Sequence, residues 1–263
     1  MNRDFLEKSL ELINEGIPHV VCTIVSIRGS APQNVGAKAI IKKTGVVYGT
    51  VGGGALENRC CEWVVDTLNN DIRSVSSYHQ WNLQTDIGMT CGGDVGLFFE
   101  VVLTRPPWEI VVFGAGHVGQ ALCEVLLNLQ CSITCIDDRE EWLEKLPRHR
   151  HLQKICVSGA MENEVANLNL NSFLVMVTKG HKTDVPIAFA ALSRGEFPFL
   201  GMMGSKVKSL RVKSDLLGMG LTETAVETLN CPMGEPFGNN TPPEIALSMT
   251  AQLIRERDII FQH

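Results

Sequence analysis

The stretch that decides the fold is EIVVFGAGHVGQALCEVLLNLQCSITCIDD, Glu109 to Asp138. It opens with a short apolar run, turns through several glycines and ends in a second apolar run. Between these runs, the apolar residues from Val118 to Leu129 recur at intervals of three and four, which is the period of a helix that buries one face. The stretch therefore predicts a strand, a glycine turn, a helix and a second strand.

The glycine turn fits the pattern G-x-G-x-x-G, with Gly114, Gly116 and Gly119 as its glycines. Between a strand and a helix this pattern is typical of dinucleotide binding, because the backbone lets a pyrophosphate reach the helix start. Asp137, at the end of the second strand, would accept hydrogen bonds from ribose hydroxyls and would favour NAD over NADP. His117 either stands beside the pyrophosphate or caps the helix. The alternative is a fold of this type that has lost or changed its ligand.

The same rhythm continues to the C-terminus, where KICVSG, SFLVMVT and FPFLGMMG alternate with helical stretches. Such alternation predicts a doubly wound parallel sheet of the Rossmann type. TKGHKTD follows one of these strands and places His181 and Asp184 at a carboxyl end, where open α/β sheets bind ligands. These two residues are either an acid–base pair or a surface histidine beside a helix-capping aspartate.

The first part of the chain has a different organisation. Pro106 and Pro107 in LTRPPWE suit a linker, so we expect two domains, residues 1–104 and 105–263. In the first domain FLEKSLELI predicts a helix, a β-rich run follows it, and two apolar runs around Thr44-Gly45 predict a hairpin. The expected fold is a smaller α+β domain before a Rossmann-like domain. The apolar stripe expected on the first helix is Phe5, Leu6, Leu10 and Ile13.

A second glycine-rich turn lies in GTVGGGALENRCCEW, where Gly52, Gly53 and Gly54 lead from a strand into a helix. Free backbone amides at a helix start favour an anion such as phosphate. The structural alternative is a tight turn in which Glu57 caps the helix, and that carboxylate would compete with an anion for the same amides. The sequence leaves both open.

A thiol stands in the third glycine-rich stretch, GMTCGGDVGLFFE, where Cys91 precedes Gly92 and Gly93. Glycines permit close approach of a ligand to the backbone, so the thiol is presented to a ligand if the turn faces a cleft. The alternative is that Cys91 packs as a small apolar residue.

Composition excludes several classes of function. The chain has 263 residues and a net charge of −6, without a basic run that would bind nucleic acid. No apolar block resembles a signal peptide or a membrane span, so we expect a cytoplasmic protein without a membrane partner. Nine cysteines without a Cys-x-x-Cys pair indicate neither a disulfide framework nor a zinc ribbon.

Eight motifs together resemble the xanthine dehydrogenase accessory factors, the XdhC/CoxI family. They are GSAPQNVGAK, GTVGGGALE, CGGDV, VVFGAGHVGQAL, DDREEW, TKGHKTD, GMMGSKVK and TPPEIALSMTAQLI, in this order from about Val21 to Arg257. The resemblance implies a non-catalytic chaperone that binds molybdenum cofactor (molybdopterin), supports its sulfuration with a cysteine desulfurase and delivers it to a xanthine dehydrogenase-type molybdoenzyme. It also implies a homodimer.

The cofactor-binding residues that follow from this reading combine all the glycine-rich stretches. Cys91 would contact the molybdenum or its sulfur ligands, since a thiolate is a soft donor. The full set is Gly52, Gly53, Gly54, Cys91, Gly92, Gly93, Gly114, Gly116, His117, Gly119, Asp137 and His181. Two other functions stay open: an NAD-dependent oxidoreductase with His181 or Lys179 as proton donor, and a nucleotide-sensing partner of a large enzyme.

Overall fold

A computed structural model describes residues 3–69, 76–90, 92–195 and 197–261. The chain divides into two compact units, Met1–Thr104 and Arg105–His263. Each unit has its own sheet and its own hydrophobic core.

The N-terminal unit is a five-stranded antiparallel sheet with a helix on each face. The strand order is β3-β2-β1-β5-β4. The elements are α1 (Arg3–Asn14), β1 (His19–Arg28), β2 (Lys38–Lys42), β3 (Gly45–Gly49), α2 (Gly54–Asn69), β4 (Ser76–Asn82) and β5 (Asp94–Val102). The hairpin predicted around Thr44-Gly45 is present, with Lys42 opposite Gly45.

Both helices pack through apolar faces, but of the stripe predicted for α1 only Phe5 is buried. Phe5 and Leu12 of α1 are buried against Val21 and Ile40 of the sheet. Leu6, Leu10 and Ile13 remain 54%, 55% and 37% exposed, so their assignment to the buried face was wrong. Residues seven apart also share a helix face, and the sheet buries Phe5 together with Leu12 rather than with Leu6, Leu10 and Ile13.

The C-terminal unit is a six-stranded parallel sheet in the order β11-β10-β9-β6-β7-β8. Its strands are β6 (Trp108–Phe113), β7 (Cys131–Asp137), β8 (Leu152–Cys156), β9 (Phe173–Met176), β10 (Phe199–Met202) and β11 (Leu229–Asn230). Its helices are α3 (His117–Leu126), α4 (Glu140–Leu143), a 3-10 helix (Met161–Asn167), α5 (His181–Arg194), α6 (Lys206–Gly218), α7 (Glu223–Glu227) and α8 (Pro242–Phe261).

Two apolar layers cover this sheet, as a doubly wound fold requires. One face packs against α3 and α8, and the other packs against the 3-10 helix, α5 and α6. The predicted fold class, a doubly wound parallel sheet preceded by a smaller α+β unit, is confirmed.

Candidate ligand site at the carboxyl edge of the parallel sheet

The strand order of the C-terminal unit reverses at β6. From β6 the chain builds outward through β7 and β8, and then returns to the other side of β6 to form β9. The loops after β6 and β9 therefore leave in opposite directions and open a crevice at the carboxyl edge. Open α/β sheets bind ligands at such a switch point.

The three glycines of the turn after β6 have three different surroundings. A Cβ on Gly114 would lie 2.5 Å from the carbonyl oxygen of Val177, and one on Gly119 would lie 1.9 Å from that of Gly114. By contrast, a Cβ on Gly116 would meet no atom within 4 Å. Gly114 and Gly119 thus allow close backbone packing, whereas Gly116 borders open space that a ligand can occupy.

The start of α3 presents free backbone amides to this open space. Gly116 is its N-cap residue, and no side chain caps the helix. The hydrogen bond from the Gln120 amide to the Gly116 carbonyl opens the helical series, so the amides before Gln120 point toward the open space. His117 is exposed and its ring contacts Trp142 edge-on, with 5.0 Å between the ring centroids, so the imidazole does not cap α3.

Asp137 holds the glycine turn through a hydrogen bond from its backbone. Its carboxylate accepts hydrogen bonds from the Ala115 amide at 2.6 Å and from the Arg139 Nε at 2.8 Å. Burial alone would raise the pKa of Asp137, but the hydrogen bonds from Arg139 and Ala115 outweigh it and lower that pKa. Both oxygens are engaged and the residue is 1% exposed, so a ribose hydroxyl would have to displace Arg139.

An ion pair joins the loops on the two sides of β6. Asp138 follows β7 and Lys179 follows β9, and these strands flank β6 on its two sides. The Lys179 Nζ lies 2.6 Å from the Asp138 Oδ2. Both side chains are partly exposed, so the bridge is weak and an anionic ligand can exchange with Asp138 for the lysine.

His181 and Asp184 do not form an acid–base pair. The His181 Nε2 lies 2.6 Å from the Asp215 Oδ2 on α6, and its Nδ1 is buried without a partner among the described residues. Asp184 does not cap α5 either, because its carboxylate accepts hydrogen bonds from the side chains of Thr178 and Lys208. Neither reading of these two residues from the sequence matches their contacts.

Asp184 instead holds α5, α6 and the β9 loop together. It is 1% exposed and accepts hydrogen bonds from the Thr178 Oγ1 and the Lys208 Nζ, both at 2.5 Å. Lys208 also donates to the carbonyl of Met203 at 2.7 Å. This buried ion pair fixes the loops that form one wall of the crevice.

In the N-terminal unit, the amides of the triple-glycine turn already have partners. The Glu57 Oε1 accepts hydrogen bonds from Val51 N at 3.3 Å and Gly53 N at 3.1 Å. The Gly52 amide donates to the Thr50 hydroxyl at 3.1 Å. An anion at this turn would therefore compete with a carboxylate of the chain itself, as the sequence alternative stated.

Three loops meet at the end of the N-terminal sheet that carries this turn. A Cβ on Gly52 would lie 2.5 Å from the Cγ of Pro32, and one on Gly93 would lie 2.3 Å from the carbonyl oxygen of Ser30. Gly92 has only the Gln84 side chain nearby, at 3.5 Å from a Cβ. Cys91 lies outside the described residues.

Models of known protein families match regions of both units. The C-terminal region, residues 110–253, matches the XdhC Rossmann domain, and residues 12–79 match the XdhC and CoxI family. The chain belongs to the XdhC/CoxI family. The recognition made from the eight motifs is therefore confirmed.

Two curated proteins and one solved structure are similar to this chain. "Uncharacterized protein YqeB" of Escherichia coli (strain K12) is 27% identical over 95% of this chain and 46% of its own length. The "Molybdenum cofactor insertion chaperone PaoD" of the same organism is 26% identical over 40% of this chain and 33% of its own length. This chain thus spans less than half of either relative.

The structure is one described as a xanthine dehydrogenase from Bacillus halodurans. It is 18% identical with a TM-score of 0.48, and the match covers 95% of this chain and 94% of that one.

Two residues beside the crevice were not among the site residues predicted from the sequence. Arg139 and Trp142 both lie in the motif DDREEW, and the Arg139 guanidinium stacks 4.9 Å above the Trp142 ring. Their signal in the sequence was an arginine and an aromatic residue within five positions of the strand-end acid.

In the described ranges, no cluster of three or more His, Cys, Asp or Glu side chains forms a metal site. None of the helices there has the length and apolar character that crossing a membrane would require.

Proposed function

We propose that this chain is an accessory protein that binds molybdenum cofactor and supports its sulfuration and insertion into a xanthine dehydrogenase-type molybdenum hydroxylase. The observation that carries the proposal is the open Gly116 beside the free amides of α3, at the switch point of the sheet. Membership of the XdhC/CoxI family and similarity to a chain named as a cofactor insertion chaperone support it. The role is binding and transfer rather than catalysis.

The phosphate of the pterin belongs at the glycine turn of the C-terminal unit. Gly116 leaves room for it, the α3 amides donate to it, and the helix dipole favours its charge. Lys179 and Arg139 stand nearby as cations that now contact Asp138 and Asp137. The triple-glycine turn is a poorer phosphate site because Glu57 occupies its amides.

Within the N-terminal unit, the glycine-rich loops around Cys91 are a separate candidate site for the cofactor. Gly53 and Gly54 border open space, and Gly92 is nearly as open. Cys91 supplies a soft thiolate donor for the molybdenum. The remaining partners in the proposal are a cysteine desulfurase, a cytoplasmic molybdoenzyme and a second copy of the chain.

The proposal is tested by anaerobic equilibrium binding of molybdenum cofactor and, separately, of NAD to the purified protein. We expect stoichiometric binding of the cofactor and protection of its dithiolene from oxidation. Tight NAD binding without affinity for the pterin would contradict the proposal and would favour an oxidoreductase. Nucleotide binding that only changes the affinity for a large enzyme would favour the sensing role instead.

Replacing Cys91 by serine should weaken cofactor retention while the protein stays folded. Serine keeps the size of the side chain but removes the soft donor, so we expect about a tenfold faster loss of cofactor. The measurement is the cofactor dissociation rate under anaerobic conditions, with Cys156→Ser, an exposed cysteine of the C-terminal unit, as the matched control. Equal rates in the wild-type and Cys91→Ser proteins would remove Cys91 from the site.

The ion pair across the crevice predicts opposite effects for its two members. Lys179→Gln removes a cation from the phosphate and should weaken cofactor binding about threefold to tenfold. Asp138→Asn releases Lys179 from its carboxylate partner and should strengthen binding by a similar factor. Both effects should shrink as salt is raised. Changes of the same sign in the two variants would show that Lys179 does not exchange Asp138 for the ligand.

A further inference from the structure

Histidine and arginine side chains cluster at the amino edge of the parallel sheet. His149, Arg150 and His151 come directly before β8, and Arg105 comes before β6. Because the strands of this sheet are parallel, the residues before them lie at the edge opposite the glycine turn. The histidine–arginine cluster is therefore separate from the crevice at the carboxyl edge.

Contacts within the cluster keep these side chains close together. The ring centroids of His149 and His151 are 5.3 Å apart, and the Arg150 Nε lies 3.1 Å from the His151 Nε2. The Arg105 guanidinium donates to the Gln153 Oε1 at 3.3 Å, two residues after His151. Four side chains that carry or can take up a positive charge thus share one small surface.

Within the described ranges, no carboxylate forms an ion pair with the arginines of this cluster. Residues 145–154 contain four lysines or arginines, two histidines and no acid, in a chain with a net charge of −6. Like charges at short distance repel each other, so the cluster gains free energy from an anion that joins it.

The two imidazoles serve as hydrogen-bond acceptors for donors of the cluster. The His151 Nε2 accepts from Arg150, which can only donate, and the His149 Nδ1 accepts from the His151 amide at 3.2 Å. Each contact uses a lone pair of the ring and so favours the neutral imidazole. Burial and, after it, the neighbouring Arg150, His149 and Arg105 lower the pKa of His151.

A carboxylate placed against this cluster would reverse the arrangement. It would accept hydrogen bonds from the guanidinium groups of Arg105 and Arg150, whose planar forks match carboxylate oxygens. His151 would no longer be needed as the acceptor for Arg150 and could take up a proton. The anion would favour the charged form of His149 in the same way.

We propose that the histidine–arginine cluster binds an acidic segment of a partner protein, and binds it more tightly as the pH falls through the histidine range. A protein segment is favoured over nucleic acid because the positive surface is small, and the chain as a whole would repel the dense charge of a duplex. This contact goes beyond the proposed function and does not require that the crevice binds cofactor.

Fluorescence anisotropy with a labelled peptide of alternating glutamate and glycine measures the binding at low salt. We expect the wild type to bind this peptide, but not the same peptide with glutamine in place of glutamate. Arg105→Gln/Arg150→Gln should bind the acidic peptide about tenfold more weakly. If the wild type does not bind the acidic peptide at any pH, the proposal is wrong.

The matched control removes the same amount of charge from another surface of the C-terminal unit. Lys206 and Arg211 of α6 are exposed and form no ion pair in the part of the chain that the structure describes. Lys206→Gln/Arg211→Gln should therefore bind the acidic peptide like the wild type. An equal loss in this control would show that the peptide responds only to net charge, and would overturn the proposal.

The histidines predict a pH dependence that a merely structural role would not produce. The affinity of the wild type for the peptide should rise about threefold to tenfold between about pH 8 and pH 6, because the bound carboxylates favour the protonated imidazoles. His149→Gln/His151→Gln should lose this dependence while its circular dichroism spectrum stays unchanged. If the double change disturbs folding, His149→Gln alone changes an exposed residue and should reduce the dependence. A pH dependence that is unchanged in the folded variant would contradict the proposal.

Two further measurements separate this contact from other ligands. A short DNA duplex should bind more weakly than the acidic peptide, and tighter binding of the duplex would assign the cluster to nucleic acid instead. Arg105→Gln/Arg150→Gln should bind molybdenum cofactor like the wild type, because the cluster lies at the opposite edge of the sheet from the glycine turn. A loss of cofactor affinity in this variant would make the cluster part of the cofactor site and would overturn its assignment to a partner protein.

Discussion

Replacement of Lys208 by methionine should lower the free energy of unfolding by about 3 kcal/mol. Methionine keeps most of the apolar stem but removes the ammonium group. Asp184, at 1% exposure, would then lose its cation and have Thr178 as its remaining side-chain hydrogen-bond donor. A buried charge that loses its partner costs far more than the pair contributes when it is intact. Urea unfolding of the two proteins measures the difference.

Two further variants separate the ion pair from other effects of the substitution. Asp184→Asn in the Lys208→Met background removes the uncompensated charge and should recover a large part of the lost stability. Lys182→Met changes an exposed lysine of the same region and should leave stability nearly unchanged. If Lys208→Met and Lys182→Met have equal effects, the buried pair is not what holds α5 to α6.

The glycine turn was predictable because all of its determinants are local. Gly114, Gly116 and Gly119 lie within six positions of each other, between an apolar run and a periodic segment. Their distinct surroundings follow from the geometry of any strand–turn–helix unit of this type. The apolar runs of the following strands likewise predicted the parallel sheet, since strands buried on both faces are continuously apolar.

The partners of the polar residues were not predictable in the same way. His181 and Asp184 are three positions apart, which allowed an acid–base pair, but their partners Asp215 and Lys208 both come from α6. These contacts depend on how α5 and α6 pack, and helix periodicity does not define that packing. The same holds for Asp137, whose carboxylate is engaged by Arg139 and Ala115 rather than directed to a ribose.

The first helix shows the limit of periodicity within a single element. Its sequence allows Phe5 to share a face with Leu6 and Leu10, as predicted, or with Leu12, as observed. Both satisfy a helical period, and only the sheet beneath decides which row is buried.

Glu57 lies in the same motif as the triple glycine and competes with an external anion for its backbone amides. The glycines of GTVGGGALE allow an anion site, and the glutamate five residues after Gly52 supplies an anion from within the chain. In the turn after β6, Asp137 takes the Ala115 amide, but α3 begins without an acid in its first turn and without a side-chain cap, so the amides of the helix start stay open to a ligand. This difference explains why the two glycine-rich turns are assigned different roles in the proposal.

Alanine substitutions at two glycines of the β6 turn should separate folding from binding. Gly119→Ala places a Cβ 1.9 Å from the Gly114 carbonyl oxygen. Because backbone cannot yield as a flexible side chain does, we expect a loss of about 3 kcal/mol or more in the free energy of unfolding. Gly116→Ala meets no atom within 4 Å and has an ordinary φ of −66°, so its stability should change by less than about 1 kcal/mol.

Cofactor binding should respond to Gly116→Ala in spite of its unchanged stability. The new methyl group would occupy the space that the phosphate needs beside the α3 amides, and we expect at least about a tenfold weaker affinity. Gly218→Ala at the end of α6 is the matched control, because it also adds a methyl group in open space. If Gly116→Ala and Gly218→Ala bind cofactor equally well, the phosphate does not lie at this turn. The N-terminal loops would then have to bind it, with Glu57 displaced from the amides of Val51 and Gly53.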